Sequence, residues 1–318
     1  MRFYDREVGS SRVQHARARR SRPQRWWSVA AVAMLLASGC GGGDGVDEAH
    51  SPAEAGPLGD RPYEVHVPPS YDGSEAAPLL VVLHGYGMTG EELASIYDVS
   101  ALADERGVLY VAPDGTVDAD GERFWNATDA CCNAGGIDVD DSGYLAAVIA
   151  QIESDYRVDE DRVVALGVSN GAFMAYRLAC DHADTLAAIV SIAGATYLDP
   201  QDCGPSEPVS VLEVHGTADE IIAFDGGANI DAAYPSAPES VAAWAAYDGC
   251  TGALTATGER RDADSSVPGD ETKASAFSGC PSGIGVELWT VEGGDHTMDF
   301  QPDVVPDLVD FLLAHPRS

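Results

Sequence analysis

Short apolar runs alternate with helical segments along the chain from about residue 61. Runs rich in apolar and β-branched residues predict seven strands, at 63–67, 79–83, 108–112, 163–166, 188–192, 209–214 and 287–291. Helices are predicted at 142–156, 172–179, 240–247 and 304–314. Strands that alternate with helices are typical of βαβ units. The pattern therefore predicts an α/β fold, with a mostly parallel central sheet and helices on both faces.

The region 61–318 has the length of one domain of this class, and no second domain or internal repeat is visible in it. Within it, the segment 225–282 has little periodicity outside the predicted helix 240–247. We interpret this segment as irregular structure that forms the edge of a cap or lid.

Residues 1–39 have the composition of a secretory signal peptide. Eight arginines precede or flank an apolar stretch at 26–36, and small residues follow it. The stretch is shorter than the roughly 20 residues that a membrane-spanning helix needs. We therefore expect residues 1–39 to be removed during export.

The sequence Leu-Ala-Ser-Gly-Cys at 36–40 resembles a bacterial lipobox, in which Cys40 becomes the acylated first residue. An ordinary cleavage site with an incidental cysteine is the alternative. The segment 40–60 has the composition of a flexible tether. We therefore expect an extracytoplasmic protein, either anchored by lipid to a bacterial membrane or cell surface or fully secreted.

Charge limits the possible partners. The chain has 52 acidic and 18 basic residues, a formal net charge of −34, and eight of the arginines lie in the predicted signal peptide. An acidic surface repels phosphate backbones, so nucleic acid is excluded as a partner. Neutral substrates are favoured over anionic ones, and no protein partner is implied.

Six of the seven cysteines remain once Cys40 is set aside, and an even set in an exported chain predicts disulfide bonds. They are Cys131, Cys132, Cys180, Cys203, Cys250 and Cys280. About fifteen pairings are possible, and the sequence alone does not choose among them. No Cys-x-x-Cys pair occurs among them, so we expect no metal site.

The sequence Gly-Val-Ser-Asn-Gly at 167–171 stands between a predicted strand and a predicted helix. This is the context of a nucleophile elbow, a sharp turn that exposes its serine above a sheet. The flanking positions need glycine because the turn leaves no room for a Cβ atom. The motif predicts that Ser169 is a nucleophile.

A serine nucleophile needs a base, and the base needs an orienting acid. In open α/β sheets these groups follow the carboxyl ends of later strands. Asp219 follows strand 209–214 and His296 follows strand 287–291, which gives the chain order Ser, Asp, His. We therefore predict the triad Ser169, Asp219 and His296. The rival acids and base are Glu213, Glu220, Asp295 and His215, for which structural roles are expected.

An acyl-transfer site also needs two N–H donors for the developing oxyanion. The backbone N–H of Asn170, directly after the serine, supplies one of them. The other is assigned to Tyr86, in the glycine-bearing turn 84–87 that follows strand 79–83. The alternative for this segment is a tight turn without a catalytic role.

Several motifs resemble those of secreted polyhydroxybutyrate depolymerase-like and feruloyl esterase-like hydrolases, including bacterial lipoproteins of that kind. They are Leu-His-Gly at 83–85, Phe-Trp-Asn at 124–126 ahead of Cys131-Cys132, Val-Asp-Asp at 139–141, the elbow, His-Gly-Thr-Ala-Asp at 215–219 and Gly-Gly-Asp-His-Thr at 293–297. The resemblance covers nearly everything from residue 61 onward. It implies the α/β-hydrolase fold and a Ser-Asp-His esterase, without a cofactor, for polyesters or aromatic acid esters. It also implies the pairs Cys180–Cys203 and Cys250–Cys280, which leaves Cys131 and Cys132 as an adjacent pair.

The chain departs from the family's pattern at three places. Asp295 replaces a glycine before the histidine, Met298-Asp299 replaces the usual Trp-Pro, and Ala172 replaces a glycine after the elbow. These changes leave the triad intact but put the substrate in doubt. Met298 and Trp125 are the candidate substrate contacts, and a buried core role is the alternative for Trp125.

The sequence thus predicts an exported serine carboxylic-ester hydrolase that works through an acyl-enzyme. Two alternatives stay open: a peptidase of the same fold, and a catalytically silent surface lipoprotein that binds polymer or glycan through the cleft. The sequence does not choose among hydroxyalkanoate polyesters, feruloylated polysaccharides and small acyl esters.

Overall fold

The structure is a computed structural model that describes residues 61–317. The predicted signal peptide 1–39, the predicted lipid attachment site Cys40 and the predicted tether 40–60 lie outside the described residues. No helix within 61–317 is long and apolar enough to cross a membrane.

The strands and helices alternate through most of the described region. The strands are β1 (Val65–His66), β2 (Ala77–Leu83), β3 (Leu109–Val111), β4 (Thr116–Val117), β5 (Arg123–Phe124), β6 (Val158–Val168), β7 (Ala188–Ile192), β8 (Ser210–Gly216), β9 (Gly227–Asn229), β10 (Ala232–Tyr234), β11 (Leu254–Arg261), β12 (Thr272–Phe277) and β13 (Val286–Val291). The helices are α1 (Gly90–Ile96), α2 (Val99–Arg106), α3 (Asp141–Asp155), α4 (Asn170–Asp181), α5 (Ala237–Tyr247) and α6 (Val304–Ala314).

Nine of the strands form one sheet, in the order β1-β3-β2-β6-β7-β8-β13-β12-β11. The six strands from β3 to β13 are parallel, whereas β1, β12 and β11 pair antiparallel at the two edges. Parallel strands direct their carboxyl ends to one edge of a sheet. The loops that follow β2, β6, β8 and β13 therefore meet at that edge.

Helices cover both faces of the sheet, as the α/β prediction required. Along β2, Leu79, Val81 and Leu83 face one core, which includes residues of α3 and α4. Leu80 and Val82 face the other core, which includes residues of α1, α2 and α6. Burial on both faces explains why the central strands are continuous apolar runs in the sequence.

The prediction of irregular structure at 225–282 is wrong. Apart from α5, this segment contains the hairpin β9–β10 and the strands β11 and β12, which extend the main sheet beyond β13. Every residue in the interior of β11 is exposed, so the strand lacks the apolar alternation that sequence patterns detect. Its pairing with β12 and their shared sheet with β13 decide its conformation.

Three disulfide bonds join the six remaining cysteines in the pattern that the family resemblance implied. Cys180–Cys203 ties the end of α4 to the segment after β7, and Cys250–Cys280 ties the segment after α5 to the turn after β12. Cys131 and Cys132 form the third bond. The first two bonds close loops of 23 and 30 residues and therefore restrict the unfolded chain.

Candidate active site

The elbow is a sharp turn between β6 and α4. Ser169 has a φ of 53°, in the left-handed region that a side chain rarely adopts. A Cβ atom on Gly167 would lie 2.1 Å from the carbonyl oxygen of Gly171. A Cβ atom on Gly171 would lie 2.0 Å from the carbonyl oxygen of Leu83, at the end of β2. The two glycines therefore allow a strained turn that holds Ser169 above the sheet.

The structure brings Ser169, His296 and Asp219 together, although 127 residues separate the serine from the histidine. The Oγ atom of Ser169 lies 2.9 Å from Nε2 of His296. On the other side of the ring, Nδ1 of His296 lies 2.7 Å from Oδ2 of Asp219. This is the hydrogen-bonded order in which a carboxylate orients an imidazole toward a hydroxyl.

Asp219 is buried, and its second oxygen is also bound. Its Oδ1 accepts hydrogen bonds from the backbone N–H groups of Ile221 and Ile222, each at 2.8 Å. Burial raises the pKa of this carboxyl group, but the hydrogen bonds from His215 and His296 outweigh burial and lower the pKa below its ordinary value. Asp219 is therefore held as a carboxylate in a fixed orientation.

The rival residues take other positions. Glu213 and His215 are buried in β8 and bind each other, and neither contacts Ser169. Asp295 accepts a hydrogen bond from the N–H of Thr297 at 2.8 Å, which matches the loop-stabilising role expected of it.

The turn after β2 lies against the elbow. A Cβ atom on Gly85 would lie 3.6 Å from Cβ of Ser169, so backbone here approaches the serine closely. His84 is buried and holds the turn, because its Nδ1 binds the carbonyl of Gly85 and its Nε2 accepts from the N–H of Gly115. Within the described residues, the backbone N–H groups of Tyr86 and Asn170 donate to no other atom.

Trp125 corrects one of the sequence predictions. Its side chain is completely buried, so it offers no surface to a substrate and takes the core role instead. Its indole N–H donates to the carbonyl of His84 at 3.1 Å, and its backbone binds the side chain of Asn170. Trp125 thus supports both the turn 84–87 and the elbow that carries Ser169.

An apolar cleft of about 240 Å³ opens beside Ser169 and His296. The residues that line it include Met88, Ile96, Tyr97, Ile192, Met298 and Phe300. Met298, a candidate substrate contact, is thus one of the lining residues. The ring centroids of Tyr97 and Phe300 lie 6.0 Å apart, so the cleft has a pair of neighbouring aromatic rings in its lining. A cleft of this kind accommodates an apolar or aromatic group next to the serine.

Sequence analysis missed several of these lining residues. Ile96 and Tyr97 were missed because helix α1 was not predicted. Thr89 and Glu92 form a capping box at the start of α1, and this Thr-x-x-Glu signal could have located the helix. Tyr97 directly follows that helix. Phe300 forms an isolated antiparallel β-bridge with Asp264, a long-range contact that no local sequence pattern indicates.

Among residues 61–317 no group of three or more histidine, cysteine, aspartate or glutamate side chains is arranged to hold a metal ion. The chemistry that the described side chains support is nucleophilic attack by a serine, with a histidine as proton acceptor and donor.

Comparison with known proteins agrees with this chemistry. Residues 62–259 match the model of the family described as Esterase PHB depolymerase, where PHB is polyhydroxybutyrate. The "Putative esterase NocK" of Nocardia uniformis is 30% identical over 285 residues, which cover 80% of this chain and 79% of that protein. Feruloyl esterase B of Piromyces equi is 27% identical over 74% of this chain, but the match spans only 42% of that longer protein.

Solved structures show the same fold at lower sequence similarity. Acetyl xylan esterase from Aspergillus awamori superposes with a TM-score of 0.57 at 16% identity, over 82% of this chain and 98% of that one. Esterase PE8 superposes with a TM-score of 0.51 at 17% identity, over 79% and 96% of the two chains. The family match, the similarity to NocK and the shared fold lead to one conclusion: this chain belongs to the PHB depolymerase family of esterases and is a carboxylic ester hydrolase with the α/β-hydrolase fold.

Proposed function

We propose that this chain is an exported serine esterase that hydrolyses its substrate through an acyl-enzyme on Ser169. The observation that carries the proposal is the continuous set of hydrogen bonds from Ser169 through His296 to Asp219, at the mouth of an apolar cleft. The family match supports ester hydrolysis as the reaction.

In the first half of the reaction, Oγ of Ser169 attacks the ester carbonyl carbon while Nε2 of His296 takes the hydroxyl proton. The tetrahedral intermediate collapses, the bond to the leaving alkoxide breaks, and His296 returns the proton to that oxygen so that an alcohol departs. Asp219 keeps the imidazole in the required tautomer and balances the charge of the imidazolium.

The oxyanion of the intermediate is bound by the backbone N–H groups of Tyr86 and Asn170. Two observations support this assignment. Neither N–H group donates a hydrogen bond within the described residues, and the turn 84–87 lies close to Ser169. Asn170 is also the first residue of α4, where the partial positive charge of a helix N-terminus favours an anion.

In the second half, water takes the place of the alcohol. His296 removes a proton from the water as it attacks the acyl carbon, and the bond to Oγ of Ser169 breaks as that atom regains a proton. The free carboxylic acid then leaves the cleft, and no cofactor enters the reaction.

The acyl group of the substrate is a hydroxyalkanoate polyester unit or an aromatic acid of the feruloyl type. The apolar lining of the cleft supports both, and the ring pair of Tyr97 and Phe300 supports the aromatic acid in particular. Met298 is proposed as a direct contact of this acyl group, since it lies in the cleft two residues after His296.

Hydrolysis of p-nitrophenyl acetate and butyrate tests the reaction. Wild type should release p-nitrophenol and react with a fluorophosphonate probe, and Ser169→Ala should do neither. Thr297→Ala is a control for a hydroxyl in the same cleft and should keep both properties. Equal rates in wild type and Ser169→Ala, or a wild type that the probe does not label, would contradict the proposal and favour a silent binding protein.

Two assays on the same preparation test the substrate class. One measures release of 3-hydroxybutyrate from polyhydroxybutyrate, and the other measures release of ferulate from methyl ferulate. The expected result is a kcat/KM at least tenfold higher for one of the two than for p-nitrophenyl acetate. If cleavage of a peptide ester or amide exceeded both, a peptidase of this fold would replace the esterase proposal.

The proposed location is outside the cytoplasm, with the mature chain anchored by lipid on Cys40. Three disulfide bonds support an oxidising compartment. Labelling of cells with an alkyne fatty acid should mark the wild type but not Cys40→Ser, and the variant should move from the membrane fraction to the soluble one. Unlabelled wild type would show that the protein is secreted without an anchor.

A further inference from the structure

Behind the triad lies a line of buried polar groups that the proposed mechanism does not use. Tyr176 on α4 donates its hydroxyl to Oε2 of Glu213 at 2.9 Å. The other oxygen of Glu213 lies 2.9 Å from Nδ1 of His215, two residues along β8. On the far side of the ring, Nε2 of His215 lies 3.4 Å from Oδ2 of Asp219, the oxygen that also binds His296.

These contacts fit a His215 ring that carries a proton on both nitrogens. Its Nε2 lies 2.8 Å from the carbonyl oxygen of Ile222, which only accepts hydrogen bonds, so Nε2 carries a proton. Its Nδ1 faces Glu213, whose other oxygen already accepts a hydrogen bond from Tyr176. We assign the charged form to this pair, with Glu213 as a carboxylate and His215 as an imidazolium between two acids.

The electrostatics of His215 agree with this arrangement, although burial raises the pKa of Glu213 above its ordinary value. Burial lowers the pKa of His215, but its hydrogen bonds to Asp219 and Glu213 outweigh burial and raise the pKa to about 10. Around the ring, the charged groups are Glu213 from β8 and Asp219 from the loop after β8, and the edge of Phe224 contributes no charge. Glu213 and His215 are both at most 1% exposed, so solvent screens this pair little.

We propose that His215, held as an imidazolium by Glu213, is a positioning residue that fixes Asp219 and sets the pH range in which His296 works. The inference rests on the proposed function, because it concerns the same triad. His215 and Glu213 do not line the cleft and do not touch the substrate. They act only through the carboxylate of Asp219.

The direction in which the pH profile shifts depends on whether Glu213 or His215 is left as the unpaired charge. The acid limb of the pH profile of kcat/KM reports protonation of the catalytic base in the free enzyme. His215→Gln leaves the negative charge of Glu213 unpaired, which favours a protonated His296 and moves the limb to higher pH. Glu213→Gln leaves the positive charge of His215 unpaired and moves the limb to lower pH. Each shift should be roughly one pH unit.

The experiment compares the acid limbs of wild type, His215→Gln, Glu213→Gln and the double variant. We expect opposite shifts in the two single variants, a return to near the wild-type limb in the double variant, and little change in KM. Loss of packing alone would lower the activity of all three variants without separating their limbs. Shifts in one direction, or no shift in either single variant, would overturn the proposal.

A second measurement uses the wild type alone and does not depend on how the variants fold. Nitrogen-15 NMR of the ring nitrogens, with His215 identified by its contact with the Phe224 ring, should show protons on both nitrogens at pH 7 to 8. A ring with a single proton would overturn the proposal. Ser169→Ala separates the two hypotheses: if it is inactive while the limbs coincide, the role of His215 fails and the serine mechanism stands. If it is as active as wild type, the serine mechanism fails.

Discussion

The side-chain amide of Asn170 binds both polar groups of the Trp125 backbone. Its Oδ1 accepts from the Trp125 N–H at 2.7 Å, and its Nδ2 donates to the Trp125 carbonyl at 2.9 Å. The residue that offers a backbone N–H beside Ser169 therefore also anchors the segment 124–126 to the elbow. This second role explains why an asparagine in particular suits the position after the serine.

Asn170→Asp should destabilise the fold and lower activity. An aspartate still accepts from the Trp125 N–H, but it cannot donate to the Trp125 carbonyl and places an oxygen against it. We expect a loss of about 1–3 kcal/mol in the free energy of unfolding, measured in urea, with a lower kcat for p-nitrophenyl butyrate. Asn229→Asp, in the hairpin β9–β10, is the control and should change neither value. Wild-type stability in Asn170→Asp would contradict a structural role for the amide.

Gly171→Ala should abolish activity, because the new Cβ would lie 2.0 Å from the Leu83 carbonyl oxygen and 2.6 Å from that of His84. Both contacts are backbone, so the elbow must move away from β2 to relieve them. Gly204→Ala is the matched control, since no heavy atom lies within 4 Å of a Cβ atom there. The measurement is fluorophosphonate labelling together with thermal unfolding. A Gly171→Ala variant labelled at the wild-type rate would show that the elbow tolerates the displacement.

Met298→Ala should alter the preference for the acyl chain. Met298 lies in the cleft, so the shorter side chain removes apolar contacts from acyl groups long enough to reach it. We expect kcat/KM for the butyrate ester to fall about tenfold and that for the acetate ester to change less. Val117→Ala, at an exposed apolar position in β4, is the control. Equal losses for both esters would place Met298 outside the acyl site.

Asp248→Asn should change how stability depends on pH. Oδ1 of Asp248 accepts from the N–H of Val209 at 3.0 Å, whereas its buried Oδ2 has no partner among the described residues. Burial raises the pKa of this carboxyl group from 3.8 to about 7. The folded state therefore binds the proton more tightly than the unfolded state does, and wild-type stability falls as the pH rises from about 4 to 7.

An asparagine carries no charge, so the stability of Asp248→Asn relative to wild type should rise through that window and level off above pH 7. The gain is at most about 4 kcal/mol, from roughly 1.4 kcal/mol for each unit of pKa. Thermal unfolding at a series of pH values measures it. Asp225→Asn, at an exposed position, should show no such trend. A constant difference between Asp248→Asn and wild type from pH 4 to 8 would show that Asp248 titrates normally.

The central sheet was predictable because its strands are buried on both faces and are therefore continuous apolar runs. Strand 188–192 and helix 304–314 were predicted with the bounds that the structure has. The two strands at the far end of the sheet, β12 and β11, were not predictable in the same way. Arg260 and Lys273 stand opposite each other there, and these polar segments are strands because β11 pairs with β12 and β12 pairs with β13.

The positions of Ser169, Asp219 and His296 followed from one rule, that each stands directly after a parallel strand. The contacts around them did not follow from it. Trp125 satisfies the pattern of an aromatic platform equally well, and only its complete burial shows that it supports the elbow. The 3.4 Å contact between His215 and Asp219 depends on the path of the chain between them, which residue spacing does not reveal.

The position of β13 has a consequence for the growing chain. β13 is the last strand in the chain order, yet it lies between β8 and β12, and the loop that follows it carries His296. Without β13, β12 has no strand of the parallel sheet to pair with, and His296 is not held beside Ser169. Under the proposed mechanism, ester cleavage therefore begins only after the last strand of the chain has joined the sheet.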